Sequence, residues 1–521
     1  MNIQQIHNNL FSPRPKSIFL CTTSEEILSY INNKEIINNG FTIRGGGHNH
    51  ESYCVQDGKS VIDISGLKTY TKNKEGKSIT VGAGLTNLEI IYLQSKNNPD
   101  TIFSTGECVG VGTAGYTLGG GWHLLCRQNG LSADSVKSIK IIRYSKSSGK
   151  FIEDIITKGS KQKTEIIING ENVRKGKLFE IILGSGGGNF GIVTEITYKT
   201  YNLPNMYDVE MTCEYASDKK KELIDDITKW LEHQKTDKTF TSIVRLVKFG
   251  DKIKIRILAR VPEFKIKESQ RIFLEMEFMK NFGKYSMSKF SPYGIGELSE
   301  YKEYVSNSDD EITRTASTQL RLNFDALKKM YEKIKENAKT KGIDSYLGSP
   351  FYYELSHQQD SNITDNSSNY SCRTPRKHKV TSAFVKKTAD LNSVITQVAD
   401  YFFTNNSNRN TYSICTFHAV GGKAGSGKTS YAFNENDFLL QIQSWLPENF
   451  NDKNTENNMV DWVNKFREQL MKTNLLEGAF INFLNDKIPV QDYYKNYEEL
   501  KMYKLEIDPY HMIDSSPLSK K

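Results

Sequence analysis

Glycine is concentrated at three places in the first two hundred residues, and each one forbids a long regular element. The runs are Arg44-Gly45-Gly46-Gly47-His48, Gly112-Thr113-Ala114-Gly115-Tyr116-Thr117-Leu118-Gly119-Gly120-Gly121, and Gly186-Gly187-Gly188-Asn189-Phe190-Gly191. Glycine inside a helix or strand costs roughly 0.5–1 kcal/mol relative to alanine. The middle run is therefore expected to be neither a helix interior nor a central strand. Backbone so free of side chains suits close packing against something flat or phosphorylated. Two reactive residues border these runs: His48 ends the first, and Cys108 lies in Thr105-Gly106-Glu107-Cys108-Val109-Gly110-Val111-Gly112. An imidazole and a thiol can each bond to an oxidised isoalloxazine ring, one at the 8α-methyl carbon and one at C6. Each of the two contexts therefore suits covalent attachment of a flavin. The plainer alternatives are a buried structural thiol at Cys108 and a metal site at His48 and His50. The metal site lacks a further ligand cluster at suitable spacing.

Two of the glycine-rich segments also match nucleotide-binding patterns. Gly186 to Gly191 fits the dinucleotide pattern, which works only when a helix follows and presents its N-terminus to the pyrophosphate. The next residues, Ile192-Val193-Thr194-Glu195-Ile196-Thr197-Tyr198, alternate as a strand instead. The glycines can still offer backbone amides to a phosphate or a ring edge. Gly422-Lys423-Ala424-Gly425-Ser426-Gly427-Lys428-Thr429 satisfies the P-loop pattern in full. A P-loop needs a helix after its threonine and an acidic strand end for magnesium. Ser430 to Asp437 starts a helix poorly, and Phe438 to Trp445 reads as a strand. A glycine turn between strands is expected there, with nucleotide hydrolysis as the alternative.

A chain of 521 residues exceeds one ordinary hydrophobic core, so more than one domain is expected. The net charge of +8 is spread among 61 acidic residues with no nucleic-acid reading motif, so no nucleic-acid partner is expected. Arg373-Thr374-Pro375-Arg376-Lys377-His378-Lys379 is a local exception, expected as a solvated loop that can attract an anionic or hydroxyl-rich ligand. The N-terminus has no signal-peptide pattern and no long apolar run offers a membrane span. With seven cysteines in no short-range framework, a reducing, cytoplasmic setting is expected.

Periodicity predicts strands at Val61–Ile64, Ser78–Gly82, Val136–Ile142 and Leu178–Leu183, and a helix from Asn87 capped by Thr86. Tyr201 to Asn205 reads as a domain exit. Beyond it, helical patterns at Lys219–Gln234 and Asn323–Lys341 mix with strands at Ser242–Val247 and Lys252–Ile257. Ser361–Cys372 and Phe450–Asn458 read as polar loops.

Taken in order, Arg44-Gly45-Gly46-Gly47-His48, Cys108, Val111-Gly112, Gly119-Gly120-Gly121, Arg127, Gly130-Leu131, Asp134 and Gly186-Gly187-Gly188-Asn189-Phe190-Gly191-Ile192-Val193 resemble the flavin domain of the berberine-bridge-enzyme-like oxidases. This group lies within the vanillyl-alcohol oxidase superfamily, and the carbohydrate branch typified by hexose oxidase is nearest in look. The likeness is strong over about residues 15 to 200. Near the end, Tyr493-Tyr494, Asn496, Leu500, Lys504 and Asp508-Pro509 resemble the family's closing segment, which folds back onto the flavin domain. The middle resembles it through Pro350-Phe351-Tyr352 and Lys379 to Phe384.

The resemblance implies an α+β, two-domain PCMH-type FAD-binding fold. It would divide into an FAD-binding domain (1–203), a substrate domain with an antiparallel sheet covered by helices (204–477), and a returning segment (478–521). It implies FAD attached through both His48 and Cys108, with Arg44, Tyr116 and Asn496 also at the cofactor. Val111 stands where the family associates valine with dioxygen access. The implied reaction is hydride transfer from an alcohol, such as a sugar's anomeric hydroxyl, to flavin and then to dioxygen, giving hydrogen peroxide.

Three positions depart from the family. Asn482 is followed by Phe483, where a tyrosine commonly serves as base, and a phenyl ring cannot accept or relay a proton. Tyr116 replaces a frequent histidine and Glu499 a frequent arginine. Tyr494, and then Tyr352, are the expected substitutes for the base, with Tyr353, Glu354, His357 and Tyr493 close by. The departure at Phe483 also leaves open a flavin-binding protein without turnover, or a dehydrogenase using another acceptor.

Overall fold

The computed structural model describes residues 6–98, 100–106, 108, 110–202, 204–215, 217–249, 252–274, 276, 284–289, 376–404, 411–447 and 450–519. Its N-terminal part holds two larger sheets and two small two-stranded ones, Lys163–Ile168 with Glu171–Arg174 and Thr101–Ile102 with Tyr201–Asn202. A three-stranded parallel sheet has Ser60–Asp63 between Ser17–Leu20 and Phe41–Arg44. A five-stranded antiparallel sheet runs Tyr70–Lys72, Ser78–Gly82, Ile192–Lys199, Val136–Ser145, Lys150–Thr157. The strand after the glycines at 186–191 is thus real, and it lies at the centre of this sheet. The helix Asn87–Asn97 begins with a capping box between Thr86 and Glu89.

The remaining sheet has eight strands. His378–Val385, Tyr412–Ala419 and Phe438–Trp445 are buried almost without interruption. Such continuous burial requires cover on both faces. On one face lie the helices Lys220–Thr236, Leu391–Thr404 and Lys453–Lys472, whose Trp230, Phe402 and Phe466 pack on Ala383, Phe417 and Leu440. On the other, Ile243, Phe384 and Leu439 meet Trp122, Leu124 and Leu131 of the N-terminal part. Side chains alternate along a strand, so the polar residues of that second face also point at the N-terminal part.

Three local expectations are corrected. Leu178–Leu183 lies mostly in a helix, Lys175–Ile182, burying Leu178, Phe179, Ile181 and Ile182. A short apolar run does not separate the two periods by itself. The Phe450–Asn458 loop gives way after Asp452, whose carboxylate accepts from the Asn454 and Thr455 amides and starts the helix Lys453–Lys472. The middle glycine run contains a short helix, Thr113–Leu118. It ends at Gly119, and the turn beyond uses positive φ at Gly120 (112°) and Gly121 (75°). Asn323–Lys341 and Ser361–Cys372 lie outside the described residues.

The last segment returns to the N-terminal core. Ile481, Tyr494, Leu500 and Ile513 share a cluster with Phe41, Ile62 and Ile192, and the Phe41 amide donates to the Met512 carbonyl at 2.7 Å. Lys504 and Asp508 form a buried pair at 2.8 Å, 2% and 1% exposed. The same ammonium donates to the carbonyls of Asn189 (2.9 Å) and Ile513 (3.1 Å), tying the segment to the glycine loop at 186–191. Replacing Lys504 by Met leaves Asp508 charged and uncompensated. The expected loss is about 3–5 kcal/mol of stability, measured as a lowered urea midpoint, with the C-terminal segment becoming protease-sensitive.

Candidate active site

Two glycine segments touch backbone to backbone. A Cβ on Gly46 would lie 2.4 Å from the Gly112 nitrogen, and one on Gly112 would lie 2.5 Å from the Gly46 nitrogen. Nothing larger than glycine fits at either point. The second segment is fixed in turn by the helix Asn87–Asn97. The Asn87 amide donates to the Val111 carbonyl (3.0 Å), the Thr113 amide to the Leu85 carbonyl (3.0 Å), and Asn87 Nδ2 to the Cys108 carbonyl (3.0 Å). His48 and Cys108 consequently face one cavity of about 300 Å³, which Val111, Gly112 and Tyr116 also line. Gly186, Gly187 and Gly188 close another side of it.

The cavity fits a flat, largely apolar ring. Its walls include Gly45, Gly115 and Gly187, and a Cβ on Gly115 would meet nothing within 4 Å. His48 is kept neutral: burial lowers its pKa to about 4, against the pull of the Gly46 carbonyl. Its Nδ1 lies 3.0 Å from that carbonyl and so carries the proton, which leaves the lone pair on Nε2. His7 stacks on the His48 ring, with centroids 4.2 Å apart. Cys108 is disulfide-bonded, while Cys21, Cys54, Cys126, Cys213 and Cys415 are free. A sulfur has room for one such covalent partner, so the expected available thiol at Cys108 is not met in this structure.

The opposite wall comes from the polar face of the large sheet. Arg245, His418, Gln441, Gln443 and Trp445 all line the cavity. His418 Nε2 lies 3.0 Å from Gln441 Oε1, and its ring packs edge-on against Trp122 (4.5 Å) and beside Phe483 (5.8 Å). His50 lines the cavity with its Nδ1 2.9 Å from Nε2 of His378. Burial lowers both His50 and His418 to about 3, and holds His378 well below the ordinary imidazole range. Among the described lining residues there is no carboxylate.

Of the residues expected at the cofactor, Gly45, Gly46, Gly47, His48, Cys108, Val111, Gly112, Tyr116, Gly188 and Gly191 line the cavity. Others support it from behind. Arg44 pairs with Asp63 at 2.7 Å, and its guanidinium lies against Gly47. Gly119 makes way for Asn482, whose Nδ2 donates to the Tyr116 carbonyl at 2.9 Å. Gly120 and Gly121 form the turn, Ile192 is core, and the Asn189 amide donates to Ser185 and Gly186 carbonyls. Asn496 stands away from the cavity beside Ser430 and Glu499.

The expected bases fare differently. Tyr494 does not line the cavity: its ring is in the N-terminal core and its hydroxyl donates to the Ser185 carbonyl at 2.8 Å. Burial pushes that phenol well above its ordinary pKa. Tyr352, like Tyr353, Glu354 and His357, lies outside the described residues. Phe483 does line the cavity, as does Asn482.

Sequence reasoning missed the histidines at 7, 378 and 418 and the polar wall. The signal for the wall was present in Gln441 and Gln443, two amides at strand spacing in an otherwise apolar run. The basic stretch is corrected too: Arg376, His378 and Lys379 are buried, while Arg373 to Pro375 lie outside the described residues. The P-loop match has its own explanation. The amides of Gly425 and Gly427 donate to the Asp134 carboxylate (2.8 and 2.9 Å), so an internal acid fills the place a phosphate would take.

Residues 15–148 match the family model described as an FAD binding domain. The chain is 29% identical over 230 residues to an uncharacterised FAD-linked oxidoreductase, YgaK, of Bacillus subtilis, covering 44% of this chain and 46% of that protein. It is 27% identical over 203 residues to berberine bridge enzyme-like 2 of Arabidopsis thaliana, covering 38% and 33% respectively. These alignments thus span less than half the length of either relative. In fold it is similar to a xylooligosaccharide oxidase from Myceliophthora thermophila C1, solved in complex with xylobiose. There the TM-score is 0.67 at 17% identity, covering 99% of this chain and 94% of that one.

The Gly46–Gly112 contact makes a direct prediction. Gly46→Ala forces the two backbones apart, with an expected cost of about 1–3 kcal/mol. Flavin content after gel filtration, read from the visible absorbance per protein, should fall well below that of the unsubstituted chain.

Proposed function

We propose that this chain, which carries an FAD-binding domain, is an oxidase of the berberine-bridge-enzyme-like kind acting on the hydroxyl of a sugar or related alcohol. The observation that carries the reading is the single cavity shared by His48, Cys108 and Val111 on one side and the Arg245, Gln441, Gln443 and Trp445 wall on the other. Residues 1–203 read as the FAD domain, 204–477 as the substrate domain and 478–521 as the returning segment.

His48 and Cys108 would hold FAD covalently, His48 through Nε2, and Cys108 through its sulfur as a thiolate once the disulfide is opened. Bound FAD supplies a two-electron acceptor that dioxygen can regenerate with release of hydrogen peroxide. The protein's own part is binding, orientation and proton handling. Amide groups at 441 and 443 and the Arg245 guanidinium offer donors and acceptors to the hydroxyls of a carbohydrate. The Trp445 ring offers an apolar face. Neutral imidazoles add no further positive charge to that of Arg245. Val111 is small enough to leave dioxygen a path.

Phe483 favours a second reading, a flavoprotein without turnover, because the family's usual proton acceptor is missing there. One experiment separates the two. Acid-precipitated protein is digested and its flavin peptides are mapped, then the native protein is mixed with a panel of mono- and oligosaccharides. Yellow peptides containing His48 and Cys108, with peroxide released on at least one sugar, are expected. Free FAD in the supernatant would sink covalent attachment. A flavin that no sugar or alcohol bleaches would leave only the second reading.

A further inference from the structure

We propose that His50, with its proton placed by His378, is the general base that takes the hydroxyl proton of the substrate in place of the phenol absent at position 483. The inference deepens the oxidase reading and rests on it.

The lining of the cavity leaves few groups able to accept a proton. No carboxylate is among the described lining residues. Arginine and the indole only donate, and a side-chain amide is not a base at working pH. The Tyr116 phenol donates to the Trp122 carbonyl at 2.7 Å. His48 and His7, both lining residues, stack on each other at 4.2 Å and belong together to the flavin side. Two imidazoles remain, His50 and His418, and their rings stand 6.3 and 5.8 Å from the Phe483 ring.

Hydrogen bonding separates the two. His378 Nδ1 lies 2.9 Å from the Arg376 carbonyl, an acceptor only, so that nitrogen carries the His378 proton. Burial keeps His378 neutral, and its Nε2 is then a lone pair. The 2.9 Å contact to His50 Nδ1 therefore requires the proton on His50 Nδ1. A neutral His50 must keep its lone pair on Nε2, for which the described residues supply no donor. The ring is half-buried at the cavity wall. In His418 the corresponding nitrogen, Nδ1, is wholly buried and unpartnered, so a substrate hydroxyl cannot reach it without moving the ring. The chain Arg376 carbonyl, His378, His50 thus follows the logic of a base oriented by a second group.

The step balances as follows. The substrate O–H bond breaks and its proton passes to His50 Nε2 as the hydride leaves; burial disfavours the imidazolium so formed, and the His378 Nε2 lone pair, accepting from its Nδ1–H, offsets part of that cost. The C–H bond breaks with its electron pair leaving as hydride to the bound flavin, and the carbon–oxygen bond becomes a carbonyl. Dioxygen would take the two electrons back from the reduced flavin, and the hydrogen delivered as hydride together with the proton held on His50 would complete hydrogen peroxide and return His50 to its neutral form.

The test compares anaerobic flavin bleaching in the holoenzyme and in the His50→Gln, His50→Asn and His418→Gln variants, using a sugar that reduces the unsubstituted enzyme. Both His50 variants should bleach ~10²–10⁴-fold more slowly with flavin content and visible spectrum retained, and His418→Gln should change the rate less than tenfold. A second measurement needs no variant that turns over. Imidazole ¹⁵N shifts of the ¹⁵N-histidine-labelled holoenzyme should show His50 protonated on Nδ1 only. Undiminished bleaching in the His50 variants, a loss confined to His418→Gln, or a proton on His50 Nε2 would each overturn the assignment while leaving the oxidase reading intact. A holoenzyme reduced by no sugar or alcohol would overturn both.

Discussion

The contact between Gly46 and Gly112 is the constraint on which the site depends. Each position has the other's backbone where its own Cβ would be, so two loops far apart in sequence are held at van der Waals distance. His48 lies two residues beyond one glycine and Cys108 four residues before the other. Their approach to one cavity follows from backbone packing, before any ligand is present. The capped helix Asn87–Asn97 carries this further, since its first turn receives the Cys108 and Val111 carbonyls. A cap formed by Thr86 and Glu89 is in that sense part of the site's foundation.

Burial then sets the chemistry. Three histidines that line the cavity, at 48, 50 and 418, and His378 behind His50 are each held neutral chiefly by desolvation. A cluster of imidazolium ions would repel itself and would be costly to take out of water. A neutral cluster can instead be ordered by hydrogen bonds, and each ring's tautomer is dictated by its fixed neighbour. His48 is set by the Gly46 carbonyl, and His378 by that of Arg376. Lone pairs consequently appear at defined nitrogens facing the cavity, with no nearby carboxylate needed to create them.

Much of this was legible in the sequence where a residue acts through its own segment. The glycine runs, the strand after Gly191 and the cap at Thr86 all report local backbone demands. The helix at Lys175–Ile182 was not legible, because a short run such as Leu178 to Leu183, apolar but for Glu180, suits a strand and a helix equally until the surface it packs on is known. The base was illegible for a different reason. Tyr494 is near Phe483 in sequence, yet the chain carries its ring into the N-terminal core and its hydroxyl to Ser185. His378 lies more than three hundred residues from His50, in a stretch whose charges read as a solvated loop. Only the pairing of His378–Val385 within a sheet covered on both faces explains why those charges are buried.

The orientation of His50 depends on two parts of the chain remaining in register, since His50 comes from the N-terminal part and His378 from the large sheet. Neighbouring residues secure that register. Glu51 pairs with Lys379 at 2.6 Å, 3% and 4% exposed, and Lys379 also reaches Asp486 in the returning segment at 2.6 Å. Burial raises the Glu51 carboxyl to about 7 while Lys379 draws it back. A buried pair of this kind is weak evidence for stability, because desolvation offsets most of the attraction. Its value lies in position: an ammonium held between two carboxylates from different segments tolerates little sliding. The ion pair fixes where His378 stands, His378 fixes which nitrogen of His50 is protonated, and the lone pair on Nε2 is the consequence.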